Sequence, residues 1–371
     1  MKNILLASTA IVAFAGAAFA EGHTGVSFAG DAEIGYNDDF DAGMFWSLGL
    51  GVSGAAELDN GLTASISGDV ELNGTNSTFD GNNVSIDDLV IGLSSDTASL
   101  TFGDTAPAAD KLYSSAVTNI EDDGFFDEAD LVGEQAVLIG EMTFGETTVG
   151  LSYAVNNSNG GVDDDISNLQ IGASTTVGLV GLSFGYQEAE GLFPAVAPAT
   201  IPTVLVPELL AVSATTTLSG VDLGLAYASN NTANTSSVGI QAGYTFGDMT
   251  ATVFYVSNDG GRDDNVGVGF DYASGPVTVG VLYHDGNDED LQLNVTYDAG
   301  NGLNLFAGYR DEGSVADDES FYIGGDYDLG GGANLRMSYA DAGVGVGTLR
   351  DELGAAEDVK NGATVAVSFN F

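Results

Sequence analysis

From residue 24 to the end of the chain, apolar and polar positions alternate with a period of two. In VSFAGDAEIGY (26–36), one face carries Val26, Phe28, Ala32, Ile34 and Tyr36, and the other carries Ser27, Asp31 and Glu33. In LTASISGDVEL (62–72), Leu62, Ala64, Ile66, Val70 and Leu72 oppose Thr63, Ser65, Ser67, Asp69 and Glu71. A period of two is that of a strand, whose successive side chains leave opposite faces. It predicts strands over 26–36, 44–57, 62–73, 84–94, 97–103, 135–144, 147–155, 168–177, 181–189 and 210–218. It also predicts 221–229, 238–246, 249–257, 265–273, 276–284, 290–298, 303–311, 320–329, 333–341 and 363–371, a count of 18–20.

The connections are of two kinds. Tight turns such as Asp59-Asn60-Gly61, Gly145-Glu146, Gly247-Asp248 and Gly330-Gly331-Gly332 have hairpin chemistry. They alternate with long polar stretches such as NNSNGGVDDDIS, SNDGGRDDN and RDEGSVADDES. The predicted object therefore has a short-turn end and a long-loop end. Tyr227, Tyr255, Tyr283, Tyr309 and Tyr339 fall near the loop end, and Tyr244, Tyr272, Tyr297 and Tyr327 near the turn end. Two rings of tyrosine at opposite strand ends match the aromatic girdles of two membrane interfaces.

A soluble sandwich also alternates, but its polar face is usually rich in lysine and glutamate. Here that face carries Ser, Thr, Gly, Asn and Asp with few cations. Strands of about ten tilted residues span an outer membrane, and in lipid every strand edge must be paired. The expected fold is all-β: a closed antiparallel transmembrane β-barrel of even strand number over residues 21–371. Its terminal TVAVSFNF segment pairs with the first strand and turns its apolar face to hydrocarbon.

Residues 1–20, MKNILLASTAIVAFAGAAFA, read as a signal peptide cleaved after Ala20 for export, with an uncleaved anchor as the alternative. Without Lys2 the chain holds six cations against 54 acids, a net charge of −48. That excludes nucleic acid as a partner. Disorder is excluded in turn, because 44% of residues are hydrophobic and 33 are Phe or Tyr. The chain has no cysteine, so disulfides and thiolate metal sites are absent.

One connection breaks the pattern. Residues 104–134 run 31 residues without clear alternation and include Leu112, Tyr113, Val117, Ile120, Phe125, Phe126 and Leu131. Side chains this apolar need a packing surface, and the inner wall of the barrel offers one. Folded inward, this third loop narrows the lumen. It carries Asp104, Asp110, Lys111, Glu121, Asp122, Asp123, Asp127, Glu128, Asp130 and Glu134, nine acids to one base. Acids lining a narrow passage favour cations. The alternative is an acidic loop solvated at the mouth.

The acidic third loop opening with FGD (102–104), the late YDLGGGANL (327–335) and the terminal VSFNF (367–371) resemble the general, non-specific outer-membrane porins of alphaproteobacteria, the Rhodobacter type. The resemblance covers essentially the whole mature chain. It implies a homotrimer of water-filled barrels in the Gram-negative outer membrane, each constricted by its third loop and passing small hydrophilic solutes. It also implies that the terminal strand with Phe369 and Phe371 is read by the barrel-assembly machinery. The chain departs from that family in two ways. Sixteen strands are usual there, whereas this count is higher, with the surplus between 190 and 361. An arginine cluster is usual opposite the loop, whereas here only Arg310 and Arg336 fall on lumen-facing positions, so a stronger cation preference is expected.

Three rivals remain. A substrate-selective channel needs an aromatic track or basic ladder along the lumen, and inward positions show neither. An outer-membrane enzyme needs a histidine base, and beyond His23 there is only His284, which reads as a strand end. A secreted calcium-binding solenoid needs glycine-aspartate nonapeptide repeats, and none is present. No cofactor is expected. Carboxylate clusters such as Asp163, Asp164 and Asp165 suit calcium or magnesium bridging to lipopolysaccharide, or else a solvated rim. The stretch 193–207 is apolar and rich in proline, which is expected to bar it from pairing as a strand.

Overall fold

The computed structural model describes residues 24–40, 43–74, 84–120, 126, 136–155, 167–191, 205–286, 289–311, 313, 319–341, 348–349 and 359–371. The expected signal peptide, 1–20, lies outside them. Twenty strands form one antiparallel sheet that closes on itself. Nine precede the proline-rich stretch: β1 (Thr24–Asn37), β2 (Met44–Glu57), β3 (Thr63–Gly74), β4 (Val84–Ser94), β5 (Ala98–Gly103), β6 (Ala136–Phe144), β7 (Thr147–Val155), β8 (Ser167–Val177) and β9 (Val180–Gln187). Eleven follow it: β10 (Leu209–Leu218), β11 (Val221–Asn230), β12 (Thr235–Phe246), β13 (Met249–Asn258), β14 (Asn265–Ser274), β15 (Val277–Asp285), β16 (Asp290–Gly300), β17 (Leu303–Asp311), β18 (Ser320–Gly330), β19 (Ala333–Asp341) and β20 (Gly362–Asn370). The number is even and above the sixteen implied by the resemblance, at the top of the range read from the alternation.

Closure is made by β20 lying against β1, with Asp31 opposite Asn370, Ile34 opposite Val367 and Asn37 opposite Thr364. Beyond the ladder, Gly30 N–H donates to Phe371 O at 2.7 Å and Phe371 N–H donates to Gly30 O at 2.8 Å. From Gly30 to Asn37 the seam is fully paired, as a membrane sheet requires. The turns follow sequence chemistry. Asp298 and Asp328 each accept from the N–H two residues on, of Gly300 and Gly330, which take φ of +76° and +81°. That left-handed backbone is open to glycine at little steric cost.

The two faces divide as the alternation predicts. Val26, Phe28, Ile34, Leu225, Val253 and Ile323 are exposed on the outside, where acyl chains replace a protein core. Tyr244, Tyr255, Tyr272, Tyr283, Tyr297, Tyr327 and Tyr339 are exposed on the same side. Tyr227 and Tyr309 join them, being opposite the outward Val238 and Leu293. Polar side chains point inward, among them Asp31, Asp69, Ser152, Gln170, Gln292 and Asn294. Leu225, 56% exposed and mid-strand, reports this division. Leu225→Lys should destabilise the barrel by about 2–4 kcal/mol, the cost of lysine near the bilayer midplane, measured by denaturant unfolding in lipid. Asp69→Lys, on the lumen side, should leave stability nearly unchanged.

The proline-rich stretch corrects an expectation. Its end does pair: Leu205–Val206 lie antiparallel to Glu190–Gly191. Pro202 and Pro207 flank these two residues, which keep their N–H groups, so proline limits the strand's length without forbidding it. Residues 192–204 lie outside the described residues. A second short pair joins Thr348–Leu349 to Val359–Lys360 ahead of β20.

Candidate permeation pathway

The chain leaves β5 at Gly103, whose φ is +137° and where a Cβ would stand 1.9 Å from the Leu89 carbonyl oxygen. Only glycine makes that exit, which explains the glycine of FGD. Asp104 follows, and its Oδ2 accepts from the Asp88 N–H at 3.3 Å. The loop then turns onto the inner wall as a short helix, α1 (Ala108–Leu112).

Helix starts have N–H groups without intrahelical partners, and here the wall supplies acceptors. Ala108 N–H donates to Ser152 Oγ on β7 at 2.7 Å, and Ala109 N–H to Gln170 Oε1 on β8 at 3.2 Å. Gln170 is held by its amide donating to Gln187 Oε1 on β9 at 2.7 Å. Further on, Ser114 O accepts from Ser183 Oγ on β9 and Ser213 Oγ on β10, at 2.9 and 2.6 Å. Thr118 donates from N–H and Oγ1 to Gln241 Oε1 on β12. Asn265 at the start of β14 donates to Asn119 O at 3.2 Å. The loop is thus hydrogen-bonded to the inner wall from β7 to β14.

Its seat is a line of small residues. Gly150, Gly172, Gly185, Ala211 and Ala228 are opposite one another on successive strands β7 to β11. A Cβ on Gly172 would stand 1.8 Å from the Ala108 carbonyl oxygen, and one on Gly185 would be 2.5 Å from the Phe126 ring. Gly224 on β11 clears the Ala116 carbonyl in the same way, at 2.0 Å. Over this floor Ala109, Val117, Ile120 and Phe126 pack with Leu209, Ala211, Phe254, Val256 and Leu282, and Tyr113 closes the cluster. Tyr113 meets Phe126 edge to face at 5.4 Å between ring centres. Leu112, Tyr113, Val117, Ile120 and Phe126 of the third loop thus have their surface inside the barrel, and Phe125 and Leu131 lie outside the described residues.

The charged residues fall as follows. Asp104 is exposed, Asp110 is partly buried on α1, and Lys111 donates to Glu141 on β6 at 2.6 Å. Glu121, Asp122, Asp123, Asp127, Glu128, Asp130 and Glu134 lie outside the described residues, as do Asp163, Asp164 and Asp165. Arg310 on β17 and Arg336 on β19 lie half a circuit of strands from β7 and β9, where α1 is held. Each is paired. Arg310 donates from Nε and Nη2 to Asp290, at 3.0 Å for the shortest contact, while Gln292 donates to the same carboxylate at 2.7 Å. Arg336 meets Asp326 through Nε and Nη2 at 2.8 and 2.9 Å and stacks 5.6 Å from the Phe306 ring centre. His284 is buried at the end of β15 with Nε2 3.6 Å from Asp290. Among the described residues, no group of three or more histidine, aspartate or glutamate side chains is placed to hold a metal ion.

At the loop-end rim, the phenol of Tyr255 donates to Asp264 at 2.5 Å, and the backbone N–H of Asn258 donates to it at 3.0 Å. These donors hold the Asp264 carboxyl below its ordinary range, Tyr255 contributing most. Ser236 does the same for Asp259 through its hydroxyl and N–H. The rim therefore keeps its negative charge as pH falls towards the ordinary carboxylate range.

Sequence reading missed the glycine floor and the serine and glutamine latches. The signal was present as glycine at inward positions of consecutive strands, but it becomes visible only once the register is known. The family model of the Gram-negative porins matches residues 7–133 and 210–345. Two triple mutants of the porin of Rhodopseudomonas blastica align with this fold at 17% identity and a TM-score of 0.39, covering 94% of this chain and 100% of theirs. No curated protein matches. Since the porin model matches well over half of the sequence, taking in all of the first five strands and the entry to the inward loop, the chain belongs to the family of Gram-negative porins.

Proposed function

We propose that this outer-membrane porin is a water-filled diffusion channel for ions and small hydrophilic solutes that prefers cations. One observation carries the preference. The described cations of the lumen, Lys111, Arg310, Arg336 and Lys360, each lie against a carboxylate, while inward Asp31 and Asp69 remain exposed with no described cation beside them. Local neutralisation of the bases leaves the lumen field to the acids, which concentrate cations in a narrow passage. The acids Glu121, Asp122, Asp123, Asp127, Glu128, Asp130 and Glu134 add to the same sign.

A non-specific channel is favoured over a selective one by burial. Among the described residues, the inward strand aromatics Phe45, Phe254, Phe306 and Tyr322 are each buried and present no stacking track to a solute. The reading is completed by export through the 1–20 signal, a homotrimeric assembly, and recognition of the Phe369–Phe371 end by the assembly machinery. Exposure of both phenylalanines on the outer face supports the last.

Reconstitution into a planar bilayer under a salt gradient tests the preference. The reversal potential should favour cations, and a potential favouring anions would refute it. Asp122→Asn, Asp123→Asn and Asp127→Asn together should lower the cation-to-anion permeability ratio by about twofold or more. Raised ionic strength should weaken the preference in wild type, because screening shortens the field to about 8 Å at physiological salt.

A further inference from the structure

The third loop is not the only segment that enters the barrel. Just before β20, Val359 is buried against Phe306, Tyr322 and Ala340, all on inward positions of β17, β18 and β19. The chain reaches this place through a bend tied to the first loop. Asn37, fully buried at the end of β1, donates to Asn361 O at 2.7 Å and to Thr364 Oγ1 at 2.8 Å. Asn361 donates to Asp39 Oδ2 at 3.1 Å, and the Ala363 N–H donates to Asp38 Oδ1 at 2.6 Å. Gly362 takes a φ of +83° between them. Four hydrogen bonds and one left-handed residue turn 359–361 inward at the seam between the last and first strands.

The bend delivers a cation. Lys360 Nζ lies 3.6 Å from Glu33 Oε1, on an inward position of β1, and 4.6 Å from the centre of the Phe45 ring. Phe45 is itself seated over Gly35, where a Cβ would stand 2.3 Å from the ring. Both partners of the ion pair are about one-third exposed, so they are fixed by the wall yet open to the lumen. This seam lies on the β17-to-β2 side, away from the strands that hold the third loop.

We infer that residues 359–361 form a second inward wedge at the mouth of the channel, and that Lys360 sets its charge selectivity by neutralising Glu33. The inference rests on the channel reading above and deepens it. The wedge narrows the lumen from the barrel seam, and its one cation tempers an otherwise acidic entrance. Without it, the Glu33 carboxylate would add to the cation-attracting field in a restricted passage.

The chain has no cysteine, so Lys360→Cys introduces a single addressable thiol. The variant is reconstituted into a planar bilayer and treated with an anionic sulfonatoethyl or a cationic trimethylammonioethyl methanethiosulfonate, with labelling verified by mass. The expected result is a stepwise conductance change with either reagent. The cation-to-anion permeability ratio should be at least about twofold higher with the anionic label than with the cationic one. Glu33→Gln, read in the same way, should lower the ratio by about twofold, and it keeps the test open if the thiol variant does not insert. A conducting wild-type channel whose labelled and Glu33→Gln forms keep the wild-type ratio overturns this inference alone. No conductance from the unmodified protein overturns the channel reading and this inference with it.

Discussion

Removing residues 364–371 should abolish the barrel altogether. The deleted segment is opposite seven residues of β1, from Asp31 to Asn37, and most of β19, from Ala333 to Ser338. Its loss opens two strand edges within the hydrocarbon, and each backbone group left without a partner there costs several kcal/mol. No soluble sheet faces so large a penalty, because water would satisfy the same groups. The remaining nineteen strands could close only by pairing β1 with β19 in parallel, a less stable ladder that the native sheet does not contain. The measurement is gel mobility before and after heating, in which a folded barrel migrates differently from its unfolded chain. The truncated protein should show only the unfolded band. Phe371→Ser is the informative companion, because it keeps the whole backbone ladder and removes only a ring that lies over Gly30. It should fold in detergent, and any loss of assembly in cells would then isolate the recognition of the terminal aromatic from the closure of the sheet.

The architecture was legible because a membrane barrel is simple in sequence. Lipid outside and water inside impose the same alternation on every strand, as in 26–36 and 62–72, and short turns such as Asp298-Ala299-Gly300 carry their own chemistry. The exit of the third loop was legible too, through the glycine of Phe102-Gly103-Asp104. What escaped was whatever depends on which strands are neighbours. Gly150, Gly172 and Gly185 read as neutral positions until the register aligns them. Arg310 and Arg336 read as a remnant of a basic wall until Asp290 and Asp326 are found on the adjacent strands, 20 and 10 residues away in the chain. The inward turn of Val359 and Lys360 escaped for the same reason. Its anchors, Asn37, Asp38 and Asp39, lie at the other end of the sequence.

The glycine floor leads to the second large effect. Gly172→Val should lift the third loop from the wall while leaving the barrel closed. Valine is the better strand residue by intrinsic preference, so backbone entropy and β-propensity alone would make the change stabilising. Packing reverses the sign. The new Cβ would stand 1.8 Å from the Ala108 carbonyl, a backbone atom that cannot swing aside as a side chain can. To relieve the clash α1 must move, and with it go the hydrogen bonds from Ala108 to Ser152 and from Ala109 to Gln170. Overpacking of this kind costs about 1–3 kcal/mol, and it falls on the loop because the ladders on either side of Gly172 are made by backbone groups alone. Single-channel conductance should rise as the lumen widens, with more frequent current fluctuations, and the proposed cation preference should fall as the loop withdraws from the lumen. Gly140→Val is the matched control. It lies on the outer face of β6, where the nearest atom to a new Cβ is Leu100 Cδ1 at 3.9 Å, so the same substitution meets lipid instead of the loop and should leave conductance unchanged. If both variants conduct alike, the third loop is not held by its glycine seat, and the narrow passage must be built from other parts of the wall.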